Sequence, residues 1–400
     1  MSLLESTFPH SGLAKSGRRA SPDRYDGKAL AGLTVKISDV CKLEQGFGLL
    51  RQIDEASSLS IFETEGWLRS AANAALSKSG FEVRFLFALE GVRPVAALPL
   101  CIDGRTGLRV ARILGAPLSQ YTDLVCDDRH LNQAIRVLKF EIAALRDVDL
   151  FVFSRVRSDA RVVALLSGLG AERLSESAAP FADLTMFDDF HDYLKANWKA
   201  HRDRRRLRRR AEANGPLTFE VCTSFSRAAE VARRAIELKR HWLPGVHRWF
   251  GTLASDQWCN ALLNAIEFPD HAVKPVVTAL HSQNTLAAVE IGFVHQQRYS
   301  AFLGAFDPTF RDWSPTELLM EDTIEWCFQN NIRIYDLLPP DDSYKAKWTN
   351  KKTPVGDWVM PRTLKGKVYV NIAEKKLIPF LKRSSPVVQK ALRAVKYHSR

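Results

Sequence analysis

The segment Ala88-Leu89-Glu90-Gly91-Val92-Arg93-Pro94-Val95-Ala96-Ala97 returns without a gap as Ala279-Leu280-His281-Ser282-Gln283-Asn284-Thr285-Leu286-Ala287-Ala288. The two agree at Ala-Leu, at the later aliphatic position and at Ala-Ala, and Leu114-Gly115-Ala116 is answered by Leu303-Gly304-Ala305. Each copy then passes through a turn-rich loop into a helical segment, His130 to Leu145 or Thr316 to Asn330. Each returns to a short apolar strand, Asp149 to Phe153 or Arg333 to Leu338. Strand, turn, strand, turn, strand, helix, strand is thus written twice. Solenoid units are shorter and more numerous, so this is a duplicated domain. The mixture of strands and helices predicts an α/β fold (α+β mixed sheet): two tandem units, each a mostly antiparallel sheet flanked by helices.

The 400 residues, 46% of them apolar, suffice for two cores. Residues 1–32 are rich in Ser, Gly, Pro and Arg and lack an apolar run of signal-peptide length, so they read as a disordered leader. Residues 33–184 form the first unit and 185–365 the second. From Asn371 eight Lys or Arg stand against one Glu, and Val388, Ala391, Leu392 and Val395 share a helical face, so 366–400 read as a basic amphipathic tail. The most apolar stretch, Phe85 to Ile102, is broken by Glu90, Arg93 and Pro94 and is a strand pair, not a membrane span. Six scattered cysteines without a CxxC argue against a disulfide framework or a zinc site and suit a reducing cytosol. A net charge of +12 points to an anionic partner.

Three segments are candidates for chemistry. In Phe306-Asp307-Pro308-Thr309-Phe310-Arg311-Asp312-Trp313-Ser314-Pro315-Thr316-Glu317, Ser314 reads as an N-cap, Pro315 as the first helical residue and Glu317 as the partner in a capping box. A loop entering a helix N-terminus offers free N–H groups and the positive dipole end, which suits a phosphate on the backbone of Ser314 and Thr316. Glu317 weighs against an anion there, and a plain helix cap is the other reading. Asp336 closes an apolar strand, where α/β sheets place ligand groups, and Tyr344, Lys345, Lys347 and Trp348 follow it. A solvated loop with Trp348 packed on the core is the alternative. Glu290 lies between Ala288 and Gly292 on one strand face, a groove floor where burial would lift its pKa toward general-base range, or else a solvent-facing position.

In the run from Lys199 to Arg210, Arg202, Arg205, Arg206 and Arg209 share one helical face, Arg204 and Arg208 lie on another, and a narrow strip around Trp198 and Leu207 is left for packing. Nucleic acid, an acidic membrane, a polyanionic carbohydrate or plain solvent all fit such a helix. No GxSxG, HExxH, Walker A or GxGxxG occurs, and the histidines form no ligand-spaced cluster.

With these elements in place, the chain resembles the GNAT acyltransferase fold. Its duplicated form is similar to the GNAT-like proteins of the CelD (cellulose biosynthesis) and Fem-type group. The ordered landmarks, from about Leu33 to Met360, are Phe62, Trp67 and Leu68, then Leu114, Gly115, Tyr121 and Asp123. The Trp-plus-polyarginine helix follows, then Phe306 to Pro315, Asp336, and Tyr344-Lys345 with Trp348. The resemblance implies a cytoplasmic N-acyltransferase moving an acyl group, acetyl above all, from acyl-CoA to an amine acceptor, without a metal. By that analogy Arg311, Ser314, Thr316 and Lys345 hold the donor, and Glu290 or Asp336 relays the amine proton. Tyr344 protonates the leaving thiolate, and Tyr121, Asp123 and Trp348 line the acceptor side. The glycine-rich pyrophosphate loop of typical GNAT enzymes is missing. Two further readings are a Fem-like aminoacyl transferase gripping tRNA, and a non-catalytic partner of a polysaccharide synthase whose tail rests on the anionic inner face of the membrane.

Overall fold

A computed structural model describes residues 33–38, 43–53, 60–213, 215–241, 250–253 and 255–372. The expected leader and the tail beyond Ile372 lie outside the described residues. The first unit runs β1 (Thr34–Ser38), α1 (Leu43–Leu50), α2 (Glu65–Leu76), β2 (Phe81–Glu90), β3 (Arg93–Asp103), β4 (Val110–Ile113), β5 (Val125–Cys126), α3 (Leu131–Ala144), β6 (Leu150–Arg157), α4 (Val162–Gly168) and β7 (Glu172–Asp183). The second opens with α5 (Phe190–Ala196) and α6 (Trp198–Glu212), then β8 (Leu217–Val221), α7 (Phe225–His241), α8 (Phe250–Leu253) and α9 (Asp256–Glu267). It continues with β9 (Lys274–Ser282), β10 (Thr285–His295), β11 (Arg298–Phe306), α10 (Pro315–Gln329), β12 (Ile334–Asp336), β13 (Lys351–Pro361) and α11 (Leu364–Tyr369).

All thirteen strands of the described residues belong to one sheet, in the order β1-β2-β3-β4-β6-β13-β7-β12-β11-β10-β9-β8 with β5 beside β3. Each unit is an antiparallel meander followed by one parallel pair, β4 with β6 and β11 with β12. The last strands change places. β7 of the first unit pairs with β12 of the second, and β13 of the second pairs with β6 of the first. The two exchanged strands also pair with each other from Lys351↔Phe181 to Val359↔Glu172. The sequence shows no sign of β13, because Pro354, Gly356 and Asp357 punctuate it like a loop. Asp357 instead sits at a register shift and accepts the Arg155 N–H (2.9 Å) and the Ser175 hydroxyl (2.9 Å).

The duplicated hairpins share a bulge. Glu90↔Arg93 and Ser282↔Thr285 close two-residue turns, and the third residue of each outgoing strand, Val95 or Ala287, is left without a partner. Gln283 and Asn284 both have positive φ, the backbone a tight hairpin turn requires. Counting from the turns equates Ala88 with Leu280 and Ala96 with Ala288, one residue off the gapless sequence match. A one-residue slip changes the face of every side chain. Accordingly Leu89 lies in the core on the side of α2, with Trp67 and Leu68, whereas Leu280 lies in the cluster formed by Leu318 and Leu319 of α10.

The same count shows how the first unit departs from the second. β11 is continuous, but its counterpart is broken into β4 and β5 by the excursion 115–124, after which Ala96↔Cys126 resumes the pairing that Ala288↔Phe306 makes in the second unit. The next residue in both is an aspartate capping a 3₁₀ turn. Asp127 accepts the Arg129 N–H (3.0 Å) and Asp307 the Thr309 N–H (2.9 Å).

One large core joins the units, with Phe62 and Trp67 of the first meeting Phe293 and Phe302 of the second edge-on or tilted at centroid separations of 5.5–6.3 Å. α2 lacks a side-chain cap of its own, and Asp270 of the second unit accepts the Gly66 N–H (2.6 Å) in its place. Because each unit completes the other's sheet, residues 33–365 should unfold in one cooperative step by near-UV circular dichroism. A separately expressed 33–184 fragment, stripped of β13, should lack a native near-UV spectrum. A native spectrum from that fragment alone would contradict the interdependence.

Candidate functional site

The parallel strands β11 and β12 pair only over Arg298–Ser300 and Ile334–Asp336, while β11 runs on to Phe306. They therefore part at their C-terminal ends, where open α/β sheets bind ligands, and α10 begins just beyond β11. The equivalent parting in the first unit is occupied by its own excursion 115–124. Ser119 is clamped there by Trp67 Nε1 on its hydroxyl (2.9 Å) and by Arg155 on its carbonyl (2.8 Å). Gly115 starts the excursion at φ +104°, and a Cβ there would lie 2.2 Å from Ser119 Oγ.

The excursion carries Tyr121 into the second unit. Its hydroxyl donates to both oxygens of Asp336 (2.9 and 3.0 Å), which also accept from Arg298 Nη1 (2.8 Å) and the Leu338 N–H (2.9 Å). Asp336 is 1% exposed, so these donors replace the water it has lost. Burial and the neighbouring Asp336 charge raise the Tyr121 pKa well above its ordinary value, so the phenol stays a donor. Arg157 lies over the Tyr121 ring at 5.1 Å and pairs with Asp159 (2.7 Å). Tyr121 and Asp336, two sequence candidates 215 positions apart, are thus in contact.

Two acids next to Tyr121 are buried and incompletely satisfied. Asp123, a third candidate, accepts the Val162 N–H on Oδ1 (2.8 Å), and Glu63 accepts the Ser60 N–H (2.9 Å) and hydroxyl (2.7 Å) on Oε2. Among the described residues Asp123 Oδ2 and Glu63 Oε1 meet no hydrogen-bond partner. Burial, then the Asp123 charge, pushes Glu63 up to about 8, and burial lifts Asp123 to about 6. Glu63 was missed as a site residue. Ser60-Ile61-Phe62-Glu63 is a legible capping box, but a cap gives no hint that its acid faces a second one.

Glu290 is also buried, 4% exposed. It accepts from the stacked phenols of Tyr299 (2.9 Å) and Tyr335 (2.8 and 2.9 Å), and burial pushes it up to about 7 despite them. The space beside it is filled. Gly292 is small because Tyr299 lies there, and a Cβ would approach that ring to 2.1 Å.

On the helix side, Arg311 is exposed and holds no ion pair among the described residues. The expected capping box does not form. Ser314 ends the 3₁₀ turn Pro308–Trp313 in the left-handed conformation (φ 49°), makes no side-chain cap, and Glu317 pairs instead with Lys347 (2.5 Å). Pro315 has no N–H and that of Glu317 donates to Ser314 O (2.9 Å), so the uncommitted amide is that of Thr316. The stretch expected as a loop holds a 3₁₀ helix, Ser343–Lys347. Tyr344 is half exposed, whereas Lys345 is buried, donating to the carbonyls of Leu338 (2.8 Å) and Pro340 (2.7 Å), and burial lowers it to about 8. Trp348 is fully buried beneath Arg204, whose guanidinium stacks 4.2 Å from its ring.

That arginine belongs to α6, whose expected packing strip holds at Leu207, which packs on the core, and fails at Trp198. Trp198 is 54% exposed, and the most deeply buried residues are Arg204 and Ala211. Arg204 pairs with Glu321 and Arg208 with Asp322, both of α10, so acids on the neighbouring helix select which arginines turn inward. Arg202, Arg205, Arg206 and Arg209 remain exposed in one stripe with no ion pair among the described residues.

Residues 198–346 match the family described as acetyltransferase (GNAT) domain. The matched stretch lies within the second unit. No curated protein is significantly similar to the chain. Among solved structures, FemX is similar at 12% identity over 82% of this chain and 98% of that chain, with a TM-score of 0.54. A tandem GNAT protein from the clavulanic acid biosynthesis pathway is similar at 13% identity over 82% and 99%, TM-score 0.45. L-PGS from Bacillus licheniformis is similar at 14% over 74% and 89%, TM-score 0.45. At these identities the likeness is one of fold, a mixed sheet flanked by helices.

The buried acids have a consequence for stability. A carboxyl whose native pKa is raised holds a proton that the unfolded chain has released, so stability falls as pH rises between the unfolded and native values. For Glu290 that window runs from its ordinary 4.5 to about 7. The urea midpoint of wild type should fall relative to that of Glu290→Gln across this window and run parallel above it. Parallel curves throughout would show that Glu290 does not hold its proton.

Proposed function

We propose that the chain is an N-acyltransferase transferring an acyl group, acetyl first of all, from a thioester donor of the acyl-CoA type to an amine. The observation that carries the reading is the parting of β11 and β12 inside the GNAT-matched segment, with Asp336 at its vertex and the start of α10 at its mouth. The donor's phosphates lie on the Thr316 amide at the positive end of α10, with Arg311 as counter-charge. The amine attacks the thioester carbonyl, the N–C bond forms and the C–S bond breaks. The thiolate takes a proton from Tyr344, and the amine's proton passes to Asp336. A carboxylate offers about four acceptor positions. Tyr121 on both oxygens, Arg298 and Leu338 take all four at Asp336, so the incoming amine replaces one of the two Tyr121 contacts. Glu290, sealed behind Tyr299 and Tyr335, acts through those phenols rather than on substrate.

Within the acyltransferases, the duplicated architecture and the arginine helix support a place in the CelD/Fem-like group, with an acceptor in polysaccharide or cell-envelope synthesis. The unpaired stripe Arg202, Arg205, Arg206 and Arg209 supports a second reading in which the donor is aminoacyl-tRNA. No helix among the described residues is long and apolar enough to cross a membrane. Exposed Leu364, Val368 and Ile372 fall four residues apart beside Lys365 and Lys367, which supports a cytoplasmic protein resting on the anionic inner face of the membrane.

Thr316→Glu should abolish acetyl-CoA binding by calorimetry while leaving the circular dichroism spectrum unchanged. Unaltered affinity would reduce the loop to a helix cap. Asp336→Asn should bind donor normally and lose about a hundred- to ten-thousand-fold in turnover, the usual weight of a general base. Full activity would remove Asp336 from the chemistry. Tight binding of charged tRNA that weakens steeply with salt, without binding of acetyl-CoA, would select the second reading.

A further inference from the structure

We propose that the outer face of α6 is a docking surface for an anionic phospholipid bilayer, with Arg202, Arg205, Arg206 and Arg209 on the lipid phosphates and Trp198 at the level of the headgroups. The surface is independent of the acyltransferase chemistry. It is also distinct from the apolar face at Leu364, Val368 and Ile372.

The row of arginines is destabilising as it stands. Arg202 lies three and four residues before Arg205 and Arg206, and Arg209 lies four and three residues after them. Four like-charged pairs therefore crowd one face, and like charges at these spacings weaken a helix. All four side chains are exposed, and none has an ion pair among the described residues. The helix beneath them is firmly seated nonetheless. Arg204 stacks on Trp348 and pairs with Glu321, and Arg208 pairs with Asp322. Ala211 and Leu207 belong to the cluster of Trp313 and Leu318. This seat holds the four cations outward in a single row. From Trp198 to Arg209 the row is about 16 Å long at the usual rise of an α-helix. An opposing anionic surface relieves the repulsion.

Two features select lipid phosphate as that surface. The cations are arginines, whose planar, weakly hydrated forks bind phosphate oxygens two at a time, whereas a solvated face is served as well by lysine. Trp198 heads the same row, four residues before Arg202, and is 54% exposed with its ring tilted against His201 at 6.1 Å. An indole has an apolar body and a polar N–H tip, which suits the boundary between headgroups and acyl chains. Single-stranded nucleic acid calls for rings set among the cations, on which successive bases stack. Between Arg202 and Arg209 there is no ring, and the one apolar residue, Leu207, is turned toward the core. The exposed acids of α6 do not break the row. Asp203 stands about a quarter-turn round the helix from Arg202, and Glu212 lies beyond Arg209.

The probes are vesicles of phosphatidylcholine alone and of phosphatidylcholine with phosphatidylglycerol, mixed with the full chain and pelleted. The chain should bind the anionic vesicles and not the neutral ones, and added salt should release it. An arginine beside an anionic surface contributes about fivefold in affinity, so Arg205→Gln combined with Arg209→Gln should lose about twentyfold with an unchanged circular dichroism spectrum. Brominated phosphatidylcholine in the anionic vesicles should quench part of the tryptophan fluorescence of wild type, and distinctly less of it in Trp198→Phe. Absence of binding to anionic vesicles overturns the surface. Undiminished affinity in the folded arginine variant, or equal quenching in Trp198→Phe, overturns it as well. Binding that survives the arginine changes but is lost in Leu364→Ser with Val368→Ser moves the contact to α11 and overturns the α6 face. Binding of tRNA that falls in the arginine variant, without binding of vesicles, overturns it in favour of a nucleic-acid partner. Vesicle binding through α6 in a chain that binds no acetyl-CoA keeps the surface and sinks the acyl-CoA reading.

Discussion

The exchange of β7 and β13 is the constraint on which everything else rests. Two duplicated units could have lain side by side with a seam of side chains between them. Here the seam is a run of backbone pairing, in which β13 is held on one edge by β6 and on the other by β7. Side-chain contacts slide and repack, whereas a strand register is strongly specified wherever a face is buried. The exchange therefore fixes the units relative to one another closely enough for a hydroxyl of one to meet a carboxylate of the other at 2.9 Å.

That fixed junction explains how so many polar groups are tolerated in it. Tyr121, Asp336, Arg298, Arg157 and Asp159 satisfy one another, and Glu290 is satisfied by two phenols. Buried networks of this kind rigidify when complete and are costly when broken. Arg204 is held differently, by one bond to Glu321 and by the face of Trp348, with both terminal nitrogens lacking hydrogen-bond acceptors among the described residues. The stacking gives α6 a rigid seat and leaves its remaining arginines turned to solvent.

Repetition was legible because local pattern carries it. Turn residues, alternating strands and the Pro315 helix start were all in the expected order, and Asp336 stands at the strand end where spacing put it. Register was less legible. A match of Ala-Leu and Ala-Ala is one residue from the true equivalence, because a hairpin is aligned by its turn and bulge, not by small apolar residues that fit either face. The interruption of the first unit's third strand was hidden altogether. Leu114-Gly115-Ala116 looks like Leu303-Gly304-Ala305, yet Gly115 leaves the strand in a left-handed turn while Gly304 stays within it. Contacts such as Tyr121 to Asp336 or Asp270 to Gly66 join positions about two hundred residues apart, and no local pattern announces them. The filling of the space beside Glu290 was likewise invisible, since Gly292 reads as open room until Tyr299 is seen lying on it.

The shared sheet also governs how such chains can diverge. In a protein whose repeats are separate bodies, recombination near residue 185 would exchange one repeat for another's. Here that crossover would graft a foreign β13 between a native β6 and β7, and would leave the native β7 to pair with a foreign β12. Three ladders would have to match at once. The inherited module is thus not the first repeat or the second but the set of strands from β6 to β12 in sheet order.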